Sequence, residues 1–402
     1  MTNQISKTKL FLLLAAVFVV SLGYGVVLPI LPFVLIDALG ESERSSVAWH
    51  TGMLTGVYML ALFMFAPLWG YISDRIGRRR VILLGLAGFS VAMLWFGLAH
   101  DLVSLYGARI FAGVFAVAVL PVVLAWVSDT STSLTRPRAF AWLSATSALG
   151  FMFGPALSGW LSAFQIAAQD MTLMLPFYVV AVLGSLVWLA VYCLLPESEP
   201  LAIRDEGQQP TVLSMWSLLA LSLLVMLGLG SFEVGMALLG QQVFNLQARE
   251  ISWMFMECSL VMILVQVFVL APLIRRVGSN LLAPALLAMA LGIVLLPYAT
   301  SFPVMLVGIG LIAAASGMLI PALAYLISLT AGSTPGVELG RQTAVGSLGY
   351  AVGSAAAGWL FSIQSVMPFW ITAGLLGLGA IVVLSTSNFL KKWVCRVGIG
   401  SK

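Results

Sequence analysis

The chain has 402 residues, 61% hydrophobic and 8% charged, with a net charge of +4 and a mean hydropathy of +1.07. A soluble domain of this size covers itself with charge on about a quarter of its positions, so the composition excludes a soluble protein and places the chain in lipid. Cys193, Cys258 and Cys395 are far apart, without CxxC spacing or neighbouring histidines, and suggest neither a disulfide framework nor a metal site.

Apolar runs of about 20 residues are long enough to cross a hydrocarbon core of about 30 Å, and the chain reads as a succession of them. Lys7 and Lys9 precede a first run reaching Ile36, too long for a signal-peptide core and without a clear cleavage site, so it is expected to stay as the first span. Hydropathy, Gly/Pro punctuation and charge clusters predict twelve spans, at 9–36, 50–73, 81–99, 102–127, 139–164, 172–195, 212–244, 251–274, 280–299, 302–330, 341–364 and 367–390. The expected fold is an all-α integral membrane protein of twelve transmembrane helices. An even number of spans puts both termini on one side.

Charge selects that side, because cationic loops are retained in the cytoplasm. With cytoplasmic termini, every Lys and Arg lies inside except Arg44 and Arg249, which fall outside, and Arg109, which falls within span 4. The positive charge is therefore a topology signal and gives no support to nucleic-acid binding. The long polar stretch PESEPLAIRDEGQQPT at 196–211 reads as a cytoplasmic linker between two six-helix halves, 1–195 and 212–402.

The halves resemble one another. SALGFMFGPALSGWL from Ser147 is echoed by GSLGYAVGSAAAGWL from Gly346, VLPVVLAWVSDT from Val119 by LIPALAYLISLT from Leu319, and DRIG from Asp74 by RRVG from Arg275. Each echo follows its original by about 200 residues, which indicates duplication of a whole bundle; repeats of this kind place a transport site between the halves near the membrane midplane.

Three motifs carry the chemistry. Between spans 2 and 3, GYISDRIGRRR supplies Gly70 and Gly77 for close packing and a sharp turn, Asp74 as an acceptor for a helix N-terminus, and the arginines Arg75 and Arg78 as partners for acids or lipid phosphates. Span 4 carries RIFAGVFA from Arg109, and span 5 carries Gly150, Gly154, Pro155 and Gly159 in a G-x3-G-P-x3-G pattern. These resemble motif A, the R-x3-G motif and the antiporter motif of the major facilitator superfamily, in its 12-helix drug:proton antiporter subgroup. The phrase GYGVVLPILP at Gly23 to Pro32 is also similar to that subgroup, including the tetracycline exporters. An acid that several of them carry just before this phrase is absent here, where Val20, Ser21 and Leu22 stand.

The resemblance implies that Asp74 faces the Gly340 and Arg341 region at the start of span 11 and that Arg75 or Arg78 pairs with Asp129 at the end of span 4, together locking an outward-open state. It also implies that Tyr24, Trp126, Trp142, Phe232, Met236, Tyr325 and Tyr350 belong to helices lining the cavity.

Ionisable residues within a span cost about 2.5–3.5 kcal/mol at its centre and are functional candidates by default. Arg109, Glu233 in span 7 and Glu257 in span 8 are the expected proton-coupling residues. At about 1.5 Å per residue they all fall in the outer half of the membrane, where one water-accessible cavity can serve them. A carboxylate there can exchange a proton with the outside and release it when a cationic substrate arrives.

His50 and His100 are the only histidines, and no Ser-His-Asp, HExxH or P-loop pattern occurs; an enzyme is not expected, and neither a cofactor nor a metal is called for. The expected function is proton-coupled antiport exporting small amphipathic or drug-like compounds from a cell (cytoplasmic or inner) membrane. The expected partners are a small-molecule substrate, protons and membrane lipid, with the chain a monomer. The alternatives are export or flipping of an endogenous siderophore or lipid and, less favoured by the span 5 motif, proton-coupled nutrient import.

Overall fold

A computed structural model of the protein describes residues 7–39, 44–130, 136–161, 169–196, 215–270, 278–299, 301–330 and 335–397. Its helices are α1 (Lys7–Leu39), α2 (Arg44–Ile76), α3 (Arg78–Gly97), α4 (Leu102–Ala116), α5 (Leu120–Thr130), α6 (Arg136–Leu161), α7 (Gln169–Leu194), α8 (Met215–Leu238), α9 (Ala248–Leu264), α10 (Leu282–Leu295), α11 (Phe302–Thr330), α12 (Pro335–Ile363) and α13 (Met367–Val397). Among the described residues no strand occurs, as hydrocarbon demands of an open chain, since a helix satisfies its backbone groups internally. Ten helical stretches of the described residues are long and apolar enough to cross a membrane, and Leu282–Tyr298 is apolar but shorter. The expected linker lies outside the described residues, apart from Pro196 at its edge.

Local chemistry explains the boundaries. Gly77 has φ 95, which L side chains rarely adopt, and so turns the chain sharply from α2 into α3. Asp101 caps α4 by accepting from the Ser104 N–H at 3.0 Å. The expected fourth span breaks into α4 and α5 because Pro121 has no N–H to continue the ladder. Before it, the N–H groups of Ala118 and Val119 reach back only three residues, to Phe115 and Ala116, at 3.2 and 3.1 Å. At the start of α9, Glu250 accepts from the Gln247 N–H at 2.8 Å, closing a capping box.

Packing sorts the helices into two sets. In the first, α1 lies against α6 and α7, α3 against α4 and α7, and α2 against α4; in the second, α12 lies against α8, and α10 against α11 and α13. The sets meet chiefly at two seams, α2 with α12 and α6 with α9.

The duplicated glycine phrase accounts for these seams position by position. A Cβ on Gly154 would stand 2.7 Å from the Gly25 Cα of α1, and Gly353, its counterpart in the repeat, is pressed in the same way onto Leu227 of α8. One turn further on, the phrase changes partner. A Cβ on Gly159 would meet the Ser252 Cβ of α9 at 2.7 Å, and one on Gly358 would meet the Gly52 Cα of α2 at 2.7 Å. Small residues allow this backbone approach where lipid offers no hydrophobic drive.

The seams close one end of the assembly only. Gly52 and Gly56 of α2 abut Ser354, Gly358 and Ala351 of α12, whereas Gly70 and Gly340, toward the opposite ends of these helices, have nothing within 4 Å of an added Cβ. The molecule is sealed at the Gly52 end and splayed at the Gly70 end.

A Cβ on Gly52 would lie 2.5 Å from the Ser354 carbonyl oxygen. Overpacking of this kind costs about 1–3 kcal/mol, so Gly52→Val is expected to lower the population of the sealed arrangement about tenfold. Spin labels at positions 49 and 364, on the exposed rim of this end, should then show a longer mean separation; an unchanged distance distribution would mean that the α2–α12 contact does not hold the end shut.

Candidate functional site

Between the two sets lies a cavity of about 480 Å³. The first set contributes Tyr24, Gly25 and Leu28 of α1, Met59 of α2, Leu120 and Leu124 of α5 and a stripe of α6 comprising Leu143, Ser144, Ser147, Ala148, Phe151 and Pro155. Opposite them stand Met226, Leu229 and Glu233 of α8, Phe255, Cys258, Ser259 and Met262 of α9, Gln266, Ile320, Pro321 and Ala324 of α11, and Tyr350 of α12. Glu233 is the one charged residue in this lining, which is otherwise apolar, aromatic, hydroxyl-bearing or amide.

The Glu233 carboxylate joins the two sets. Its Oε2 accepts from the Tyr350 hydroxyl, and the Tyr24 hydroxyl shares its one proton between the same Oε2, at 3.3 Å, and the Tyr350 oxygen. Tyr24 comes from the first set, and Glu233 and Tyr350 from the second. Beyond Tyr350, the Ala351 and Ser354 backbone against Gly56 and Gly52 closes the sealed end. A carboxylate partly withdrawn from water is stabilised in this position by those hydroxyl donors.

Arg109 stands behind this group. It is fully buried, donates through Nε to the Leu54 carbonyl at 3.3 Å, and sets its guanidinium carbon 4.4 Å from the centre of the Tyr58 ring. Its Nη1 and Nη2 have no hydrogen-bond partner among the described residues. The Tyr58 ring lies 5.5 Å from that of Tyr24, which packs edge-on against Phe151 at 5.4 Å. A buried cation of the first set and a partly buried carboxylate of the second are thus linked through Tyr58 and Tyr24, with no direct ion pair among the described residues.

Glu257 lies elsewhere. It is half-buried between α9 and α11, where Gly310 leaves room for its Oε1; among the described residues its Oε2 has no hydrogen-bond partner, and it is not part of the cavity lining. Its neighbour Cys258 does line the cavity.

The loop between α2 and α3 is at the splayed end. Asp74 is 63% exposed and pairs with Arg78 at 2.5 Å, Arg78 also donates to Ser73, and the Arg75 guanidinium sits 4.3 Å over the Tyr71 ring. Arg341 pairs with Glu338 of its own helix at 2.9 Å. The Asp129 side chain lies outside the described residues.

Gly150 and Gly154 face α1, Gly159 faces α9, and Pro155 lines the cavity. Of the aromatic and methionine candidates, the structure brings Tyr24 and Tyr350 together at the cavity. Trp126, Phe232 and Met236 are buried in helix packing away from it, and Trp142 and Tyr325 are half-exposed toward the splayed end. Sequence reasoning missed Tyr58 and the serines Ser144 and Ser147, the latter hydrogen-bonded to Ser21 at 2.9 Å. A signal for the serines existed: Ser144, Ser147, Ala148, Phe151 and Pro155 recur at helical spacing on one face of α6.

Comparison with known proteins agrees with this architecture. The family model described as Major Facilitator Superfamily matches residues 13–285. "Multidrug resistance protein 2" of Bacillus subtilis (strain 168) is 28% identical over 400 residues, covering 94% of this chain and 95% of the relative. "Quinolone resistance protein NorA" of Staphylococcus aureus (strain MSSA476) is 26% identical over 387 residues, covering 94% and 96%. Among solved structures, a bacterial homolog of the human lysosomal transporter Spinster, in an inward-facing and occupied conformation, superposes with a TM-score of 0.73 at 16% identity, covering 94% of this chain and 96% of that one. The human organic anion transporter MFSD10 (TETRAN) superposes with a TM-score of 0.70 at 21% identity, covering 94% and 100%.

Lysine is a strongly hydrated point charge that cannot reproduce the planar guanidinium over Tyr58. Arg109→Lys is therefore expected to lose about 1–2 kcal/mol of cation–π and hydrogen-bond stabilisation. In detergent this should lower the thermal unfolding midpoint by about 2–4 °C, and a midpoint equal to that of the wild type would remove the Tyr58 contact from the account of why this cation is tolerated.

Proposed function

The chain belongs to the Major Facilitator Superfamily, and from that membership we propose that it is a proton-coupled antiporter exporting small amphipathic, drug-like compounds by alternating access. It is a multi-pass membrane transporter, not an enzyme, and its relatives include a multidrug resistance protein and a quinolone resistance protein. The observation that carries the proposal is Glu233, the one carboxylate in an apolar cavity between the two helix sets, held by Tyr24 from one set and Tyr350 from the other.

The chemistry follows from that position. As an anion, Glu233 accepts from both tyrosines and attracts a cationic or amine-bearing amphiphile, whose apolar body fits the Phe151, Phe255, Met226 and Met262 walls. Proton uptake removes the charge that holds such a ligand and weakens the clasp between α1 and α8. Proton and substrate then compete for one group. Each proton entering down the membrane potential supplies about 2.3 kcal/mol per 100 mV, enough to drive export against a gradient. Arg109 stands behind this group, joined to it through Tyr58 and Tyr24.

Twelve spans in two six-helix halves, with cytoplasmic termini and the linker between them, make the splayed end cytoplasmic and this conformation inward-open. In that state Asp74 pairs with Arg78, and an added Cβ on Gly70 or Gly340 would meet nothing within 4 Å. Closing the cytoplasmic end brings Asp74 to the start of α12 and an arginine of the same loop to Asp129, locking the outward-open state. Glu257, beside Gly310, is a second proton-carrying candidate outside the cavity.

Efflux of a compound panel that includes a quinolone, measured in inverted vesicles under an imposed proton gradient, tests the reading. Glu233→Gln should reduce uphill transport and its pH dependence by about tenfold or more while leaving exchange of substrate down its own gradient. Uphill transport at the wild-type rate would strike Glu233 from the mechanism. Asp74→Asn should abolish turnover with expression preserved, and normal turnover in that variant would refute the lock.

A further inference from the structure

A second concavity lies on the flank of the molecule. It has a volume of about 230 Å³ and opens between α6 and α9, one helix from each set. Its mouth is formed by Trp160 and Trp253, 63% and 51% exposed, with the exposed Arg249 beside them. Its floor is apolar: Ala156, Met256 and Pro155, the last of which also lines the central cavity.

The depth of these residues in the membrane follows from the helix ends. Trp160 is the penultimate residue of α6, and Arg249 is the second residue of α9. Both therefore sit at the boundary between hydrocarbon and headgroups, where tryptophan is enriched and where the guanidinium is level with lipid phosphate. The neighbouring Glu250 is turned back to the Gln247 N–H by the capping box, and no ion pair involves Arg249 among the described residues. The groove thus combines a free cation at phosphate height, two amphipathic rings flanking it and an apolar trough below.

We propose that this groove between α6 and α9 binds one glycerophospholipid of the outer leaflet, with its phosphate on Arg249 between Trp160 and Trp253 and an acyl chain along Ala156 and Met256. Guanidinium and phosphate match as a charge-assisted, bidentate pair, and the trough receives a methylene chain that the headgroup has already anchored. The lipid bridges the α6–α9 seam, so it is bound by the sealed arrangement and loses half of its site when the seam parts. The assignment to the outer leaflet rests on the cytoplasmic placement of the termini; the binding itself does not depend on proton coupling.

Site-mapped photolabelling of the full chain in dodecyl maltoside tests the proposal, with phosphatidylglycerol carrying a diazirine in its acyl chain. Label is expected on peptides containing Trp160 and Met256. Arg249→Gln, an exposed change that keeps the fold, should reduce it about tenfold, whereas Arg249→Lys keeps most of it. Diacylglycerol with the same chain should label these peptides no better than Arg249→Gln does, and inorganic phosphate should not compete. Equal labelling of Arg249→Gln or by diacylglycerol would overturn the phosphate contact, and displacement by inorganic phosphate would make this a free-anion site. Normal labelling of Glu233→Gln is expected even where that variant has lost uphill transport, which separates the two proposals.

Discussion

A carboxylate in the middle of a lipid-embedded bundle must be supplied with donors, and Glu233 takes them from both helix sets. This requirement organises the centre of the molecule. Tyr24 has to come from α1 and Tyr350 from α12, so α1, α8 and α12 must approach one another at one level. The backbone approaches that bring them there are the glycine contacts of α6 with α1 and of α12 with α8. The cavity is the space left below this group, toward the end where the sets have separated.

The doubled glycine phrase serves both kinds of helix contact, within the sets and between them. Its first two glycines bind α6 to α1 and α12 to α8, within each set, and its third binds α6 to α9 and α12 to α2, across the sets. Rigid packing and movable packing are thus encoded on the same helix, one turn apart. The copies differ at the residue after the second glycine. Ser354 back-bonds to the Tyr350 carbonyl at 2.9 Å, keeping α12 regular beside Tyr350. Pro155 cannot donate a backbone hydrogen bond, and it stands in the wall between the central cavity and the flank groove. The asymmetry of the repeat therefore falls on the two helices that border the site.

The helical fold was legible because its cause is local. Apolar runs, Gly77 at a turn and proline punctuation act within a few residues of themselves, and ten helical stretches of the described residues are long and apolar enough to cross a membrane. The break between α4 and α5 was missed although Pro121 marked it, because hydropathy is continuous across Val117–Val119. The site was legible only in its ionisable members. Glu233 and Arg109 stand out as charges in apolar sequence, but the proteins of the bilayer are full of tyrosines, serines and methionines. Which of these face inward depends on helix rotation. Tyr58 could not be paired with Arg109 from sequence, since their proximity is made by α2 packing on α4. Glu233 and Glu257 were equivalent in sequence, both acids at comparable depth in neighbouring spans. Rotation about the helix axes separates them, turning Glu233 into the cavity and Glu257 toward Gly310.

That separation gives the arrangement its directional logic. With Glu233 the one acid in the cavity lining, the exchange proposed above would set proton and cationic ligand in competition for the same oxygen atoms. Arg109 completes the balance. A guanidinium paired directly with Glu233 would capture the carboxylate, whereas Arg109 stands two rings away from it. The interposed Tyr58 and Tyr24 set that distance. Tyr24 is also the hydroxyl that belongs to the opposite helix set from Glu233, so a change in the charge of Glu233 bears directly on the contact that must open when the halves rock. In the proposed exchange, coupling of chemistry to motion would require no long pathway, because the carboxylate that would take the proton is the one that meets Tyr24 of the other set.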